Sequence, residues 1–269
     1  MRELSNEEFQ KKVSYPKEGN DLFFEVEEKS FWFCHRNNCI LELLKRFPPR
    51  GIFYDIGGGN GCVSKMLENN GFQTVLVEPS KTGIVNAQKR GLKSVICARL
   101  GNMNSHKHSL PAIGLFDVLE HIENPTEFLK IISSLLIPDG MLYITVPAFK
   151  FLWSKDDVFA GHFQRYSLKS SKKILMENGY TIEYATYFFC ILPLLIFLFR
   201  SLPYRLGLTK KSQRLDKEKV SRDHALMQKS GIWQKLIHKV FQWELMFIKG
   251  KKKIPFGSSC LIVVKFRET

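Results

Sequence analysis

Residues 54–61, Tyr-Asp-Ile-Gly-Gly-Gly-Asn-Gly, constrain the fold of this chain more than any other segment. They follow the apolar residues 51–53 and place three consecutive glycines, Gly57 to Gly59, after a strand-like run. Glycine tolerates positive φ and leaves room for a ligand against the backbone, so a strand, a nucleoside-binding turn and a helix start are predicted. Glu78 follows about 20 residues later, where a carboxylate accepts hydrogen bonds from ribose hydroxyls.

The spacing within this turn distinguishes between two classes of nucleoside. Dinucleotide-binding turns carry a third glycine beside the pyrophosphate. Here Cys62 occupies that position counted from Gly57, and Ser64 occupies it counted from Gly59. Asp55, two residues before the first glycine, is unfavourable beside a pyrophosphate and suits a cationic ligand. The turn therefore favours S-adenosylmethionine (AdoMet), which carries a sulfonium and an ammonium group, over NAD.

Several segments together resemble one enzyme family. Residues 54–61 resemble motif I of class I AdoMet-dependent methyltransferases. Residues 116–122, FDVLEHI, resemble the strand-four signature of the ubiquinone/menaquinone-type (type 11/12-like) methyltransferases and their relatives in surface-polysaccharide clusters. The likeness extends to residues 31–36, 161–166 and 255–259, and so covers nearly the whole chain.

Apolar runs alternate with helical patterns from residue 52 to residue 146, which predicts an α/β fold with a parallel sheet between helices. The resemblance implies a Rossmann-like sheet of seven strands, in which the seventh is antiparallel and lies between its neighbours. Strands six and seven are expected at 181–189 and 260–266. Roughly 70 residues separate them, far more than a usual connection.

Three regions follow from this pattern. Residues 1–50 are expected to form an N-terminal extension and a helix, over residues 36–47, that act as a lid. Residues 51–189 together with 257–269 form the AdoMet-binding core, and residues 190–256 form a basic amphipathic insertion. The acidic, polar N-terminus shows no signal peptide, which favours the cytoplasm.

The resemblance and the glycine turn assign a set of cofactor-binding residues. Glu78 is expected to hold the ribose, and Asp55 to orient the turn and face the methionine amino group. The ligand of adenine stays open between Asn102, backbone groups and apolar contacts. The full cofactor-binding set is Asp55, Gly57, Gly58, Gly59, Asn60, Glu78 and Asp117.

Two histidines are candidates for the catalytic base, since imidazole titrates near neutral pH. His162 follows strand five and is the stronger candidate, although a loop histidine is often only solvated. His121 follows strand four, where it and Glu120 alternatively cap and orient a loop. Trp32 and Arg36 either cover the cofactor and bind an anionic substrate, or pack as an aromatic cluster. The substrate-binding set is Trp32, Arg36, Arg165 and Tyr166.

The cysteine pattern bears on metals and on compartment. The six cysteines form no C-x-x-C pair and no zinc-like spacing with histidine. They are typical of reduced thiols in a cytosolic protein. We therefore expect no metal site.

The net charge of +14 is concentrated in the insertion, where residues 200–256 contain 15 Lys/Arg and 4 Asp/Glu. The apolar run 187–199 is shorter than the ~20 residues that span a bilayer. With its basic and aromatic neighbours, it favours a helix in the headgroup region of an anionic membrane. A buried or oligomeric role and, less favoured, nucleic-acid binding are the alternatives.

These observations predict an AdoMet-dependent methyltransferase. We expect O-methylation of a membrane-associated or lipid-linked small molecule or saccharide, by an enzyme at the inner face of the cell membrane. An RNA methyltransferase and a non-catalytic AdoMet-binding scaffold are the competing hypotheses.

Overall fold

The computed structural model describes residues 19–100, 107–208 and 232–267. Its centre is a seven-stranded sheet with the order β3-β2-β1-β4-β5-β7-β6. β7 is antiparallel to both β5 and β6, while the pairs from β3 to β5 are parallel. The predicted fold, including the inserted seventh strand, is confirmed. The strands are β1 Phe53–Ile56, β2 Thr74–Val77, β3 Val95–Ile96, β4 Leu110–Phe116, β5 Leu136–Pro147, β6 Tyr180–Phe188 and β7 Ser259–Phe266.

Helices cover both faces of this sheet. They are α1 Gly19–Phe24, α2 Phe31–Arg46, α3 Cys62–Glu68, α4 Lys81–Lys89, α5 Pro125–Leu135, α6 Lys155–Ala160, α7 Leu168–Glu177, α8 Leu192–Ile196, α9 Leu202–Arg205 and α10 Ile232–Lys249. A π-helical segment, Phe197–Ser201, joins α8 to α9.

Two helices differ from the sequence-based expectation because of their N-caps. α2 begins at Phe31 instead of Arg36, since the Ser30 hydroxyl accepts a hydrogen bond from the Trp32 amide at 3.3 Å. α6 lies where a loop was expected. Its capping box pairs Ser154 with Asp157, which satisfies amides of the first turn.

The buried apolar residues form two large clusters on opposite faces of the sheet. One contains β-strand residues packed against α5, for example Ile113, Ile144 and Leu129. The other packs α2 and α10 against the alternate strand positions, for example Tyr143. α10 therefore contributes to the core on the same face as α2.

The insertion is attached to the core through a buried carboxylate. Glu244 of α10 is fully buried and accepts hydrogen bonds from the amides of Phe189, at 3.0 Å, and Cys190. It also bonds His35 Nε2 at 2.7 Å. Phe189 has a φ of 60°, so the chain turns sharply where β6 ends. Glu244 thus satisfies the amides of that turn and joins α10 to α2.

The apolar run 187–199 does not form one helix. Its first residues complete β6, and α8 begins only at Leu192. On α10, Phe241 and Ile248 are buried, whereas Leu236, Trp243 and Met246 are exposed. Only part of each element is therefore available for the expected membrane contact. Within the described ranges, no helix has the length and apolar character needed to cross a bilayer.

Candidate functional site

The turn after β1 is shaped by glycines that other residues cannot replace easily. Gly57, Gly59 and Gly61 have φ values of 72°, 56° and 72°. A Cβ on Gly58 would lie 2.5 Å from both Asp55 Oδ2 and Leu76 Cδ1. Real Cβ atoms do not approach that closely, so position 58 requires glycine.

Asp55 lies against this turn and is completely buried. Its Oδ2 accepts a hydrogen bond from Ser64 Oγ at 2.7 Å, while Oδ1 has no hydrogen-bond partner among the described residues. Burial raises the pKa of this carboxyl to about 6, against the opposing effect of Ser64. An unpartnered buried carboxylate oxygen beside a glycine turn fits a cationic ligand such as the methionine end of AdoMet.

Glu78 follows β2 and is directed at the same turn. It accepts hydrogen bonds from the Gly59 amide at 3.0 Å and the Ser80 amide at 2.8 Å. Burial raises its pKa despite these two bonds. Each carboxylate oxygen has a second lone pair, so both amide bonds are compatible with the predicted ribose contact.

The side chain of Asn60 holds an N-terminal segment over the turn. Its Nδ2 donates to the Asn20 carbonyl at 2.8 Å and to Glu27 Oε1 at 3.2 Å, and its Oδ1 accepts from Asn86 Nδ2 at 3.0 Å. Glu27 also pairs with Arg90 at 2.9 Å. The side chain of Asn60 is thus engaged by the protein, which leaves its backbone for the predicted cofactor contact.

Neither this network nor the role of one further glycine was predicted from the sequence. A Cβ on Gly83 would lie 2.8 Å from the Gly59 carbonyl and 2.9 Å from Asn20 Nδ2. Gly83 lets the first turn of α4 approach the glycine turn. A glycine inside a helix costs about 1 kcal/mol relative to alanine, and that unfavourable placement was the available signal.

The carboxyl end of β4 joins the N-terminal helix to the other side of the cleft. Asp117 has a φ of 57° and receives hydrogen bonds from Arg36 Nη1 and, at 2.9 Å, from Thr145 Oγ1. The guanidinium of Arg36 lies 5.4 Å from the ring centroids of both Trp32 and Phe33. The predicted residues Arg36, Trp32 and Asp117 therefore form one connected group.

The two predicted base candidates are neighbours. The ring centroids of His121 and His162 are 4.8 Å apart, with the rings at 75°. His162 Nδ1 lies 2.9 Å from Asp157 Oδ1. Asp157 was not singled out from the sequence, although its position three residues after Ser154 is typical of a capping box.

Asp157 is itself held by Arg165. Arg165 Nε and Nη2 donate to its two oxygens at 2.7 and 3.0 Å. Burial acts to raise the pKa of Asp157, but the hydrogen bonds from His162 and Arg165 outweigh it and lower the pKa to about 2. Asp157 is therefore a charged acceptor that fixes the orientation of His162.

Glu120 completes the group beside the histidines. It is 1% exposed, and its Oε2 has no hydrogen-bond partner in the described part of the chain. Burial, followed by the charge of Asp117, raises its pKa well above the ordinary range. Its carbonyl accepts a hydrogen bond from the Phe163 amide at 2.7 Å, which joins the loop of His121 to that of His162.

Two predicted substrate-binding residues have partners within the protein. Besides Asp157, Arg165 donates to the Ala148 carbonyl at 3.2 Å. Tyr166 is buried, and its hydroxyl donates to the Leu119 carbonyl at 3.1 Å. Their substrate contacts stay predictions. Asn102, the candidate adenine ligand, lies outside the described residues.

A family model described as a methyltransferase domain matches residues 35–185, more than half of the chain. The chain is 31% identical over 97 residues to a ubiquinone biosynthesis O-methyltransferase of Parvibaculum lavamentivorans, which covers 34% of this chain and 38% of that protein. It is 25% identical over 135 residues to the C-methyltransferase NovU of Streptomyces niveus, covering 48% of this chain and 32% of NovU. The chain thus spans about a third of the length of these curated relatives.

Similarity to solved structures extends over more of the fold. A SAM-dependent methyltransferase from Thermotoga maritima superposes with a TM-score of 0.55 at 16% identity. The superposition covers 92% of this chain and 99% of that one. At this identity the likeness concerns the architecture alone.

Proposed function

The chain belongs to the methyltransferase-domain family of class I AdoMet-dependent enzymes, and on that premise we propose that it methylates an oxygen atom of a small, membrane-associated acceptor. One observation carries the proposal: the buried Asp55 lies on β1, and His121, which contacts His162, follows the adjacent strand β4. In parallel α/β sheets ligands bind at the carboxyl ends of the strands.

The residues around the glycine turn would hold the cofactor. Glu78 would bind the ribose hydroxyls, the backbone of residues 57–60 would pass along the methionine portion, and Asp55 would attract its ammonium group. When bound, AdoMet supplies an electrophilic methyl group. The segment 19–30, attached through Asn60 and Arg90, would cover this end of the cleft and limit the access of water.

The opposite side of the cleft would bind and activate the acceptor. A hydroxyl is a poor nucleophile until it loses its proton, so an oxygen acceptor requires a proton-accepting or charge-stabilising group. The pair His121 and His162 provides it, with His162 oriented by Asp157. The relative from Parvibaculum lavamentivorans is named as an O-methyltransferase, which agrees with this assignment.

The membrane part of the proposal rests on the surface of residues 194–208. Leu194, Phe199 and Leu208 are 65%, 74% and 71% exposed, which is unusual for large apolar side chains. Arg200 and Arg205 lie among them, and this combination favours an anionic bilayer surface.

This surface is attached to the acceptor side of the cleft. Arg200 pairs with Asp156 of α6 at 3.0 Å, and Arg205 donates to the Phe151 carbonyl at 3.0 Å. A lipid-linked acceptor bound there would therefore lie near the loop that carries His162.

Calorimetry with AdoMet and with NAD tests the cofactor assignment directly. We expect binding of AdoMet and none of NAD at the same concentrations. Lipid extracts and phenolic lipids are then screened for radiolabelled methyl transfer. A protein that binds neither AdoMet nor S-adenosylhomocysteine contradicts the proposal.

Vesicle co-sedimentation tests the membrane assignment. Phe199→Ser should weaken binding to anionic vesicles, whereas Met176→Ser, an exposed apolar residue on α7, should not. Replacing Lys251, Lys252 and Lys253 by Gln should also weaken binding to anionic vesicles, by about 1 kcal/mol for each charge near the membrane surface. The triple change of Lys169, Lys172 and Lys173 on α7 is the matched control. Equal binding to neutral vesicles, or capture of RNA in its place, contradicts the assignment.

A further inference from the structure

We propose that Glu120, His121 and His162 together bind one divalent transition-metal ion. These side chains come from the turn after β4 and from the loop after α6, and each offers one ligand atom. All three atoms lie within 4.8 Å of one another. Two imidazoles and a carboxylate form a common ligand set for zinc and related first-row metals.

The three ligand atoms lie somewhat farther apart than the ligands of a bound metal ion do. Ligands about 2.0–2.2 Å from a tetrahedral ion lie roughly 3.4 Å from one another. The three atoms lie within 4.8 Å of one another, so they need to approach by up to about 1.4 Å, which rotation of an imidazole supplies. The 2.7 Å hydrogen bond from Phe163 to the Glu120 carbonyl already holds the two loops together.

The burial of Glu120 favours a cationic partner. A fully buried carboxylate is unfavourable unless it takes up a proton or meets a positive charge. Arg36 and Arg165 are bonded to other carboxylates, namely Asp117 and Asp157. Glu120 offers one carboxylate oxygen to the cluster of ligand atoms, and its Oε2 has no hydrogen-bond partner among the described residues, so a metal ion would satisfy this carboxylate.

The surroundings of His162 follow the arrangement usual for metal-bound histidine. Such a histidine donates its second ring nitrogen to a carboxylate, which fixes the tautomer and the orientation of the ring. His162 Nδ1 bonds Asp157 Oδ1 at 2.9 Å, so Nε2 is the nitrogen left to bind the ion. Asp157 is held in turn by two hydrogen bonds from Arg165.

The chemistry of the set selects the class of ion. Imidazole nitrogens favour zinc, copper, iron and nickel, whereas magnesium and calcium favour all-oxygen sites. Three protein ligands also leave a coordination position open, as in catalytic zinc sites. We therefore assign the site to a zinc-like ion with one exchangeable position.

This inference also sharpens the proposed function, on which its catalytic part rests. An acceptor hydroxyl at the open position has a lowered pKa, so its O–H bond breaks and the proton leaves to solvent. The oxygen lone pair then forms a bond to the methyl carbon as the carbon–sulfur bond breaks, which yields the methyl ether and S-adenosylhomocysteine. In this form the histidines act as ligands and the ion takes the place of a free base.

Metal binding itself is tested without any acceptor. The full-length protein is stripped with a chelator, then titrated with Zn²⁺ against a competing dye and with Co²⁺ by visible absorption. We expect one equivalent per chain with the spectrum of a four-coordinate site. Glu120→Gln, His121→Ala and His162→Ala should each weaken Zn²⁺ binding by about 10²-fold or more, and Asp157→Asn by about 10–100-fold.

The matched control is His238→Ala, an exposed histidine on α10. It should bind Zn²⁺ as the parent does. Glu120→Gln preserves the shape of the buried side chain, and thermal unfolding verifies that each variant is folded. Zn²⁺ affinities of the three ligand variants equal to that of His238→Ala would overturn the site, as would a parent protein that takes up no stoichiometric metal.

The experiment separates this inference from the proposed function. If Zn²⁺ binds as expected and AdoMet does not, the metal site stands and the methyltransferase assignment fails. If AdoMet binds and Zn²⁺ does not, the metal site fails and the histidine pair acts without an ion.

Discussion

The cofactor side and the acceptor side of the cleft are stabilised in different ways. On the cofactor side, around Gly57–Gly59, the shape of the cleft depends on backbone conformation, and Glu78 is held by two backbone amides. On the acceptor side, around His121 and His162, the shape of the cleft depends on hydrogen bonds between side chains. Arg165 holds Asp157, and Asp157 holds His162. Backbone geometry tolerates few substitutions, whereas a side-chain network changes its chemistry with one substitution. Cofactor binding and reactivity should therefore be separable by mutation.

The largest effect is expected on the acceptor side. His162→Ala should reduce the turnover number by about 10²-fold or more, because it removes a group needed to activate the acceptor. AdoMet affinity should stay unchanged, and His238→Ala should change neither quantity. The measurements are steady-state kinetics and calorimetry. A parallel loss of AdoMet affinity would show that the two sides are not separate.

The second effect concerns the cofactor side. Glu78→Ala should weaken AdoMet binding by about 1.5–3 kcal/mol, the range for lost hydrogen bonds to a charged group. Glu177→Ala, on the exposed surface of α7, is the control and should change nothing. Calorimetry of both variants checks this prediction, and unchanged affinity in Glu78→Ala would refute the ribose assignment.

A third substitution tests the attachment of the insertion. Burial acts to raise the pKa of Glu244, but hydrogen bonds from His35 and Cys190 keep the pKa below its ordinary range. Glu244→Gln puts an amide NH₂ group where a backbone amide now donates, so we expect a loss of about 1–3 kcal/mol in the free energy of unfolding.

The control for this variant is Glu183→Gln, an exposed residue of β6. Denaturant unfolding should place it within about 0.5 kcal/mol of the parent. AdoMet affinity should be retained in both variants. If Glu244→Gln were as stable as the parent, the insertion would not depend on this carboxylate.

The smallest effect is a pH dependence of cofactor binding. Because burial raises the pKa of Asp55 to about 6, the free protein takes up a proton there as the pH falls. A cationic ligand favours the carboxylate, so AdoMet affinity should decrease below pH 6, by up to about tenfold per pH unit, and level off above it. Calorimetry from pH 5 to 7.5 measures this, and Asp55→Asn should flatten the profile. An equally steep profile in that variant would assign the proton to another group.

Much of the fold was predictable because its signals are local. The alternation of strands and helices, the glycine turn and the position of Glu78 each depend on residues close in sequence. Helix α6 and the early start of α2 were missed, since a single capping serine extends a helix beyond its apolar pattern. The apolar run 187–199 suggested one continuous helix, but its residues are divided between the end of β6 and α8.

The acceptor side was only partly predictable. His121 and His162 were both named from the sequence, but their contact, and the roles of Asp157 and Arg165, depend on loops that follow different strands. The cluster of Glu120, His121 and His162 was hidden for the same reason, because these residues lack a zinc-like spacing along the chain.

The sheet, the family and the cofactor turn could be predicted from the sequence, because hydrophobic periodicity and glycine stereochemistry act over a few neighbouring residues. Packing between distant segments sets which ionisable side chains meet. Asp117 meets Arg36, Glu244 meets His35, and Glu120 lies beside two histidines. The physical reason is that the cost of burying a charge depends on partners distant along the chain, and only packing brings those partners within bonding distance.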